Sequence, residues 1–470
     1  MRDAEIAERL RERNPWWRQA HGWQGEDENL REAAQAPFEY RPDVLDDLQA
    51  GGLYTLSGPR RVGKSLALRR AIARLIDTGV PARAVIYSSC EGFSPQDLRR
   101  LFRVGMSLVR GVEGTRWWFL DEITAVSGRW SSVIKDLRDD TPLRRDCVVL
   151  TGSSSRGLRE ATKDLAGRRG AAAERSDRLL MPVPFRDYCR LIDLADLPDV
   201  GPLAPAELLS RAARDAAGEL SFWLNDLVEA WELFLHFGGF PRAIADQLRT
   251  SDVSESFVGD LWDVIRGDAI RETSLGDADL LRLLARIVDG IASPLNASSV
   301  GRDVGLGSHH AVNDRVNDLA FAFQTWRCHQ ADRNGVPNLA AQRKVYFADP
   351  LLARLPSLRN VALGRPDVTK LSEQQVGLAL ARAAAGGRAD LFIAGEHVMY
   401  ERTKAGKEID FVGPRQPAIE SKYVERGWRR ESLTITAARG EGILATRNVL
   451  ETSGAVWALP ASMLVWLLGT

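Results

Sequence analysis

A stretch near the N-terminus has the residue types and spacing of a phosphate-binding loop. Residues 58–65 are GPRRVGKS and match G-x-x-x-x-G-K-[ST] at every fixed position. The preceding segment, Leu53–Ser57, is apolar and β-prone, and residues 66–76 have apolar side chains at helical spacing. A strand, a glycine-rich loop and a helix in this order direct backbone N–H groups at a bound anion. We therefore predict that the loop binds nucleotide phosphates.

The residues of this loop have separate predicted tasks. Lys64 would reach the β- and γ-phosphates, and Ser65 would ligate Mg²⁺. The alternative is an ordinary Gly/Pro turn, which the flanking strand and helix disfavour. The predicted cofactors are thus ATP and Mg²⁺. The loop residues expected to contact the nucleotide are Gly58, Arg60, Arg61, Val62, Gly63, Lys64, Ser65 and Leu66.

Two acidic residues follow the next strongly apolar segment. Residues 117–120 are WWFL, and Asp121 and Glu122 come directly after them. An aspartate at the carboxyl end of a strand beside the loop can hold hydrated Mg²⁺. The following glutamate can polarise the water that attacks the γ-phosphate. The sequence therefore predicts ATP hydrolysis with Glu122 and Lys64 as catalytic residues and with Ser65 and Asp121 as metal ligands.

Three further stretches could serve the nucleotide site. Residues 151–154 (TGSS) end a β-prone segment, so Thr151 or Ser153 could sense the γ-phosphate or orient the water, or the stretch could be a simple turn. Arg168 lies in an arginine pair that is either solvated or supplies an arginine finger. The tryptophans of residues 14–17 (NPWW) either pack on a core or line the adenine pocket.

A second polar set lies near the C-terminus, on two predicted strands of a hairpin. Glu420 and Lys422 are two residues apart and share a face, and Asp410 can lie opposite them. Asp410 and Glu420 could hold a metal ion while Lys422 positions or deprotonates a water against a phosphodiester. Glu373, from a predicted helix, and Glu408 could add further negative charge. The alternative is a surface salt bridge between Glu420 and Lys422.

The elements that position these residues indicate a multidomain α/β protein. Residues 193–290 have helical period throughout, and residues 291–355 contain short helices and a β-ribbon that suggest a winged helix. This module could read a DNA groove or only pack against its neighbours. The predicted regions are a P-loop core (1–192), an α-helical lid or linker (193–290), a winged-helix-like region (291–360) and a smaller α/β region (361–470).

Composition limits the partners. The 470 residues include 63 Lys and Arg against 63 Asp and Glu, so no global field attracts nucleic acid or membrane. The four cysteines form no C-x-x-C pair, which fits a reducing compartment and excludes a zinc ribbon. The charged N-terminus has no signal peptide, and the longest apolar run is too short to span a bilayer. We expect a cytoplasmic protein without a membrane partner.

The order of these motifs resembles a large bacterial and archaeal family of AAA-type ATPases. That family joins an N-terminal P-loop domain to a winged helix and a C-terminal domain like the PD-(D/E)xK nucleases. The resemblance covers most of the chain and implies that Lys64, Ser65, Asp121 and Glu122 bind and hydrolyse ATP. It is carried by residues 14–17 (NPWW), 58–65, 119–122, 151–154, 165–168 (LAGR), 238–241 (GGFP), 346–350 (YFADP), 408–411 (EIDF) and 420–422 (ESK).

Three functions are compatible with these motifs. The first is an ATP-hydrolysing switch that controls a DNA-acting C-terminal domain, with Asp410, Glu420 and Lys422 matching the nuclease pattern. The second keeps the ATPase and makes the C-terminal domain a non-catalytic DNA- or protein-binding module. The third is a scaffold that binds ATP and hardly hydrolyses it. The expected partners are ATP, DNA, and a protein partner or a second copy of the chain.

Overall fold

The computed structural model describes residues 1–153, 157, 164–165, 167–172, 175–194, 196–269 and 276–470. These residues form two compact units, 1–180 and 181–470. Two residues of the motifs above, Ser154 and Ala166, lie outside the described residues. The division of the chain into four regions stays a prediction.

The N-terminal unit is built on a five-stranded sheet in which every neighbouring pair is parallel. The strand order is β2-β3-β4-β1-β5. The four longer strands are almost entirely buried, which explains their continuous apolar sequences. This confirms the predicted α/β fold with a parallel P-loop sheet. The strands are β1 (Leu53–Ser57), β2 (Val85–Ser89), β3 (Trp117–Asp121), β4 (Cys147–Gly152) and β5 (Asp177–Leu179).

Helices accompany this sheet, and two of them show why they begin or pack where they do. One begins at Lys64, in the last two residues of the P-loop motif, with Gly63 as its N-cap. Another follows a capping box of Ser94 and Asp97, and its Phe102 ring lies 4.7 Å from the ring of Trp118 in β3. The helices that the structure describes here are α1 (Asp3–Arg13), α2 (Glu28–Ala34), α3 (Lys64–Asp77), α4 (Pro95–Leu108) and α5 (Trp130–Asp140).

The NPWW segment pairs with the edge of this sheet. The Asn14 side chain donates to the Tyr87 carbonyl at 2.9 Å and accepts from the Tyr87 N–H at 2.6 Å, as a neighbouring strand would. The indole N–H groups of Trp16 and Trp17 both donate to the carbonyl of Val85. Trp16 is fully buried. The tryptophans therefore pack on edge strand β2, which agrees with the core-packing alternative.

The C-terminal unit contains a mixed seven-stranded sheet of order β14-β13-β12-β11-β10-β7-β8. Strands β12 to β14 run parallel, and β10 to β12 run antiparallel. Strands β6 and β9 form a separate antiparallel pair. The strands are β6 (Thr325–Cys328), β7 (Gln330–Ala331), β8 (Pro337–Asn338), β9 (Lys344–Phe347), β10 (Met399–Arg402), β11 (Glu408–Gly413), β12 (Gln416–Ser421), β13 (Gly442–Thr446) and β14 (Val456–Pro460).

Helices make up much of the rest of this unit, and residues 211–269 and 277–289 are mostly helical. Between residues 193 and 210 the described chain has only a short 3-10 turn at Pro205–Glu207. Within the described chain, no helix is long and apolar enough to cross a membrane. The helices are α6 (Phe185–Leu191), α7 (Arg211–Leu220), α8 (Leu224–Phe237), α9 (Pro241–Thr250), α10 (Glu255–Ala269), α11 (Asp277–Asp289), α12 (Ala297–Val304), α13 (His309–Phe321), α14 (Pro350–Arg359), α15 (Val368–Ala385), α16 (Ala389–Ala394), α17 (Trp428–Glu431), α18 (Leu433–Arg439) and α19 (Ala461–Leu468).

A buried aspartate connects the GGFP and YFADP motifs. Asp349 caps α14 by accepting from the Leu351 N–H at 2.8 Å, and its other oxygen accepts from the Gly239 N–H at 2.7 Å. A Cβ atom at Gly239 would lie 2.2 Å from the carbonyl oxygen of Val183, so only glycine permits this approach. Burial raises the pKa of Asp349 to about 7. Both motifs therefore serve the packing of the C-terminal unit.

Candidate functional site

The P-loop encloses the ammonium group of its own lysine. Lys64 is 6% exposed, and its Nζ donates to the carbonyls of Gly58 at 2.9 Å and Pro59 at 2.8 Å. Gly58 has φ +153°, and a Cβ there would lie 1.9 Å from the carbonyl oxygen of Leu180. Gly63 has φ +96°, and a Cβ there would meet nothing within 4 Å. Gly58 is therefore required because the backbone approaches the carbonyl of Leu180 closely, and Gly63 is required because the chain makes a left-handed turn into α3.

Three hydroxyl groups converge on the carboxylate of Asp121, which is 5% exposed. Ser65 Oγ donates to Oδ2 at 2.7 Å, and Tyr87 Oη donates to the same oxygen at 3.1 Å. Thr151 Oγ1 donates to Oδ1 at 2.5 Å. The predicted residues Ser65, Asp121 and Thr151 thus lie together at the carboxyl ends of β1, β3 and β4. Tyr87 was missed, because its contact with Asp121 depends on β2 lying beside β3, and the sequence of neither strand reveals that pairing.

The oxygen atoms at Asp121 fit the predicted Mg²⁺. A serine hydroxyl and a carboxylate 2.7 Å apart are hard oxygen donors of the kind this ion takes. Mg²⁺ in phosphate sites keeps several waters and gains further ligands from the substrate, so these two side chains suffice. Ser65 and Asp121 would hold the ion.

Glu122 has a strained backbone next to this carboxylate. Its φ is +51°, in the left-handed region, which costs a residue other than glycine about 1–3 kcal/mol. Its N–H donates to Thr151 Oγ1 at 3.0 Å, and its Oε2 accepts from Ser153 Oγ at 3.4 Å. Ser153 Oγ in turn accepts from Arg60 Nε at 3.3 Å. The Thr151 hydroxyl therefore contacts both acidic residues, because it donates to the Asp121 carboxylate and accepts from the Glu122 N–H.

Arg168 is held by an ion pair. Its Nε lies 2.8 Å from Asp139 Oδ1, and its Nη2 lies 2.8 Å from Oδ2 of the same carboxylate. The hydrogen bonds from Arg168 lower the pKa of Asp139. The Arg168 carbonyl also accepts from the side chain of Arg138. The role of Arg168 as an arginine finger stays a prediction.

The C-terminal unit has an acidic centre, which we define as Glu373, Glu408, Asp410 and Lys344. Lys344, in β9, is fully buried. Its Nζ lies 3.0 Å from Glu373 Oε1, 2.7 Å from Glu408 Oε1 and 2.9 Å from Asp410 Oδ1. Burial opposes the charge on Lys344, but the three carboxylates outweigh it and raise its pKa well above the usual value.

Lys344 was not among the residues predicted from the sequence. It lies in the strand KVYF, whose other members are apolar or aromatic, within a chain that uses far more arginine than lysine. Lysine is almost never fully buried unless its charge is paired. A lysine inside such a strand was therefore the available signal for a buried ionic cluster.

Of the three predicted nuclease-like residues, Asp410 belongs to this centre, and Glu420 and Lys422 border it. Asp410 Oδ2 accepts from the Ser421 N–H at 2.9 Å, which ties β11 to β12. Lys422 Nζ lies 3.0 Å from Glu420 Oε1. Glu420 is 3% exposed, whereas the side chain of its partner Lys422 is partly exposed, so the pair extends from the surface into the interior. Burial raises the pKa of Glu420. Burial disfavours the charge on Lys422, yet Asp410 and Glu420 raise its pKa above the usual value.

The donor set of the acidic centre does not fit a metal ion in this arrangement. A metal ion at Asp410 would lie beside the buried Lys344 ammonium, whose positive charge repels it, and the other Asp410 oxygen accepts from the Ser421 N–H. Over the described ranges, no group of three or more His, Cys, Asp or Glu side chains is placed to hold a metal ion. The role of Asp410 and Glu420 as metal ligands therefore stays a prediction.

Comparison with known proteins relates two parts of the chain to described families. Residues 51–189 match a family described as AAA domain, and residues 228–361 match a family described as a domain of unknown function, DUF8612. An uncharacterized protein of Haemophilus influenzae is 22% identical over 312 residues, which cover 64% of this chain and 68% of that protein. The family match and the P-loop geometry agree that residues 51–189 contain a P-loop domain of AAA type.

The solved structures that resemble this chain have low TM-scores. A Walker-type ATPase of Pyrococcus abyssi has a TM-score of 0.37 at 18% identity and covers 72% of this chain and 95% of its own. The ORC1 protein of Aeropyrum pernix, solved in complex with DNA, has a TM-score of 0.28 at 16% identity, with coverages of 74% and 92%. RuvB of Thermotoga maritima has a TM-score of 0.26 at 13% identity, with coverages of 63% and 84%.

Proposed function

We propose that this protein binds ATP with Mg²⁺, hydrolyses it at the P-loop, and uses its nucleotide state to control its C-terminal unit. The observation that carries the proposal is the convergence of Ser65 and Thr151 on Asp121, beside a strained Glu122. Strained backbone at a carboxylate beside a phosphate-binding loop is typical of catalytic positions. The matched AAA family supports the same function.

Each residue of the site would have a distinct task. Lys64 would exchange the carbonyls of Gly58 and Pro59 for the β- and γ-phosphates. Glu122 would accept a hydrogen bond from the attacking water, and Thr151 would hold its backbone in place. The bound Mg²⁺ would neutralise charge on the phosphates. The N–H groups of the P-loop and of the first turn of α3 would bind the phosphate oxygens.

The C-terminal unit is the controlled part of this proposal. In the first candidate function it acts on DNA, with Asp410, Glu420 and Lys422 as a metal-dependent nuclease site. In the second it is a non-catalytic module that binds DNA, a protein partner or a second copy of the chain. The ammonium group of Lys344 among the carboxylates of the acidic centre favours the second candidate.

The ATPase proposal is tested by comparing wild type with Lys64→Ala and Glu122→Gln. Lys64→Ala should lose ATP binding, because the loop loses its ammonium group. Glu122→Gln should still bind ATP, but its turnover should fall about 10²–10⁴-fold, since the amide cannot serve as a base. Lys404→Ala, in an exposed turn, is the matched lysine control and should leave both properties unchanged. Glu122→Gln turning over at the wild-type rate would contradict the assignment.

The two candidates for the C-terminal unit are separated by DNA assays. Supercoiled and linear DNA would be incubated with Mg²⁺ or Mn²⁺, with and without ATP, beside Asp410→Ala and Lys422→Ala. Cleavage that disappears in both variants would establish the first candidate. Absence of cleavage while ATP is hydrolysed would favour the second. Fluorescence anisotropy with labelled DNA, in ATP and in ADP, would then show whether nucleotide state changes DNA affinity.

A further inference from the structure

The Lys344 ammonium group is completely satisfied by carboxylate oxygens. A lysine ammonium has three N–H donors. Nζ lies within 3.0 Å of one oxygen from each of Glu373, Glu408 and Asp410. The carboxylates come from two elements, α15 and β11, and the lysine comes from a third, β9. The three chain segments therefore meet at one buried positive charge.

The surroundings of this ammonium are those of a cation site. Tyr346 Oη donates to Glu373 Oε1 at 2.7 Å, and the ring centroid of Tyr400 lies 5.6 Å from Nζ. Buried carboxylates are tolerated only when a positive charge or hydrogen-bond donors compensate them. Oxygen ligands converging from separate elements are also what Mg²⁺ or Mn²⁺ would require. The position that a divalent ion would take is filled by the side chain of Lys344.

We propose that Lys344 is the resident cation of the acidic centre and excludes a divalent metal ion from it. The wild-type protein then binds no Mg²⁺ or Mn²⁺ through Asp410. Removal of the ammonium group leaves Glu373, Glu408 and Asp410 uncompensated and able to bind a metal ion in its place. The inference rests on the second candidate function, in which the C-terminal unit is a non-catalytic module, and it gives a physical reason why that unit would hold no metal ion. It does not depend on ATP hydrolysis.

The first test counts bound Mn²⁺ by electron paramagnetic resonance on the full-length protein without nucleotide. Wild type and Asp410→Asn should bind equal amounts, because Asp410 contributes no metal ligand while Lys344 is present. A loss of bound Mn²⁺ in Asp410→Asn would overturn the proposal. This comparison uses only the native lysine, so it remains valid where a Lys344 variant fails to fold.

The second test replaces the ammonium group by an apolar chain of similar length. Lys344→Met should gain a Mn²⁺ site, and its melting temperature should rise by about 5 °C when Mn²⁺ is well above its dissociation constant. The double variant Lys344→Met with Asp410→Asn should lose this gain. A folded Lys344→Met that binds no additional Mn²⁺ would overturn the proposal.

Lys422→Met is the matched control, because Lys422 pairs with Glu420 at the border of the centre and is more exposed than Lys344. This variant should gain no Mn²⁺ site, and a gain equal to that of Lys344→Met would refute the assignment to Lys344. ATP turnover measured on the same samples separates the two proposals. Absence of ATP turnover in wild type would contradict the nucleotide site and leave the Mn²⁺ comparison, and with it the role of Lys344, unaffected.

Discussion

Replacement of Thr151 by valine tests how the two acidic residues of the nucleotide site are positioned. Thr151 is fully buried, and its hydroxyl donates to Asp121 Oδ1 at 2.5 Å while it accepts from the Glu122 N–H at 3.0 Å. Valine has nearly the same shape but neither donates nor accepts a hydrogen bond. The change therefore removes both contacts and leaves the surrounding packing in place.

The expected magnitude follows from these two hydrogen bonds. A hydrogen bond to a charged group contributes about 1.5–3 kcal/mol, and an unpaired buried N–H costs about 1–3 kcal/mol. We expect a loss of about 3 kcal/mol in the free energy of unfolding of the N-terminal unit, or roughly 6–12 °C in melting temperature for its size. If half of that loss also weakens the transition state, turnover falls about tenfold.

The assay separates positioning from nucleotide sensing. The Thr151 hydroxyl proton is directed at Asp121, so we expect Thr151→Val to lower kcat with little change in KM for ATP. A residue that senses the γ-phosphate would change KM as well. Thr151→Ser keeps the hydroxyl and should retain most of the turnover. Equal kcat in wild type and Thr151→Val, or equal damage in the serine and valine variants, would refute the positioning role.

Three further predictions concern other parts of the chain. Asn14→Ala removes the side-chain pairing with the edge of β2 and should lower the free energy of unfolding by about 2–4 kcal/mol, measured by urea denaturation. Arg168→Ala should change ATP turnover less than tenfold because Asp139 holds the guanidinium, whereas loss of an arginine finger would cost about 10³-fold. Burial raises the pKa of Asp349 to about 7. The folded protein therefore keeps the Asp349 proton over a pH range in which the unfolded chain has released it. The contribution of Asp349 to stability is therefore full at acidic pH and is lost as pH rises through 7, so the advantage of wild type over Asp349→Asn should shrink by about 2–3 kcal/mol between pH 5 and pH 8.

Much of the N-terminal unit could be predicted because its signals are local in sequence. The P-loop pattern specifies a strand, a glycine turn and a helix within a few residues, and the structure begins α3 at Lys64 as expected. The apolar strands before Asp121 and Thr151 were found for the same reason, since buried parallel strands are continuously apolar. The fifth strand, Asp177–Leu179, is short and gives a weaker signal than the other four. Its polar first residues, Asp177 and Arg178, concealed it.

Contacts between distant segments were the part that could not be predicted. Asn14 completes hydrogen bonds of a strand that follows it by 73 residues, and no pattern within either segment reveals the pairing. Tyr87 reaches Asp121 from a neighbouring strand 34 residues earlier. Such partners depend on strand order, which the sequence of a single strand does not encode.

The acidic centre shows why a short catalytic pattern leaves function open. The hairpin that carries Asp410, Glu420 and Lys422 could be predicted from alternation alone, and β11 and β12 do pair antiparallel. Whether that hairpin holds a metal ion depends on the total charge around it, and Lys344 adds a positive charge from 66 residues away. Without Lys344, Asp410, Glu420 and Lys422 would fit a metal-dependent nuclease site. With Lys344 buried against the carboxylates, the same three residues fit a packing centre that holds no metal ion. The deciding quantity is therefore the number of positive charges buried against these carboxylates, which only the assembled fold determines.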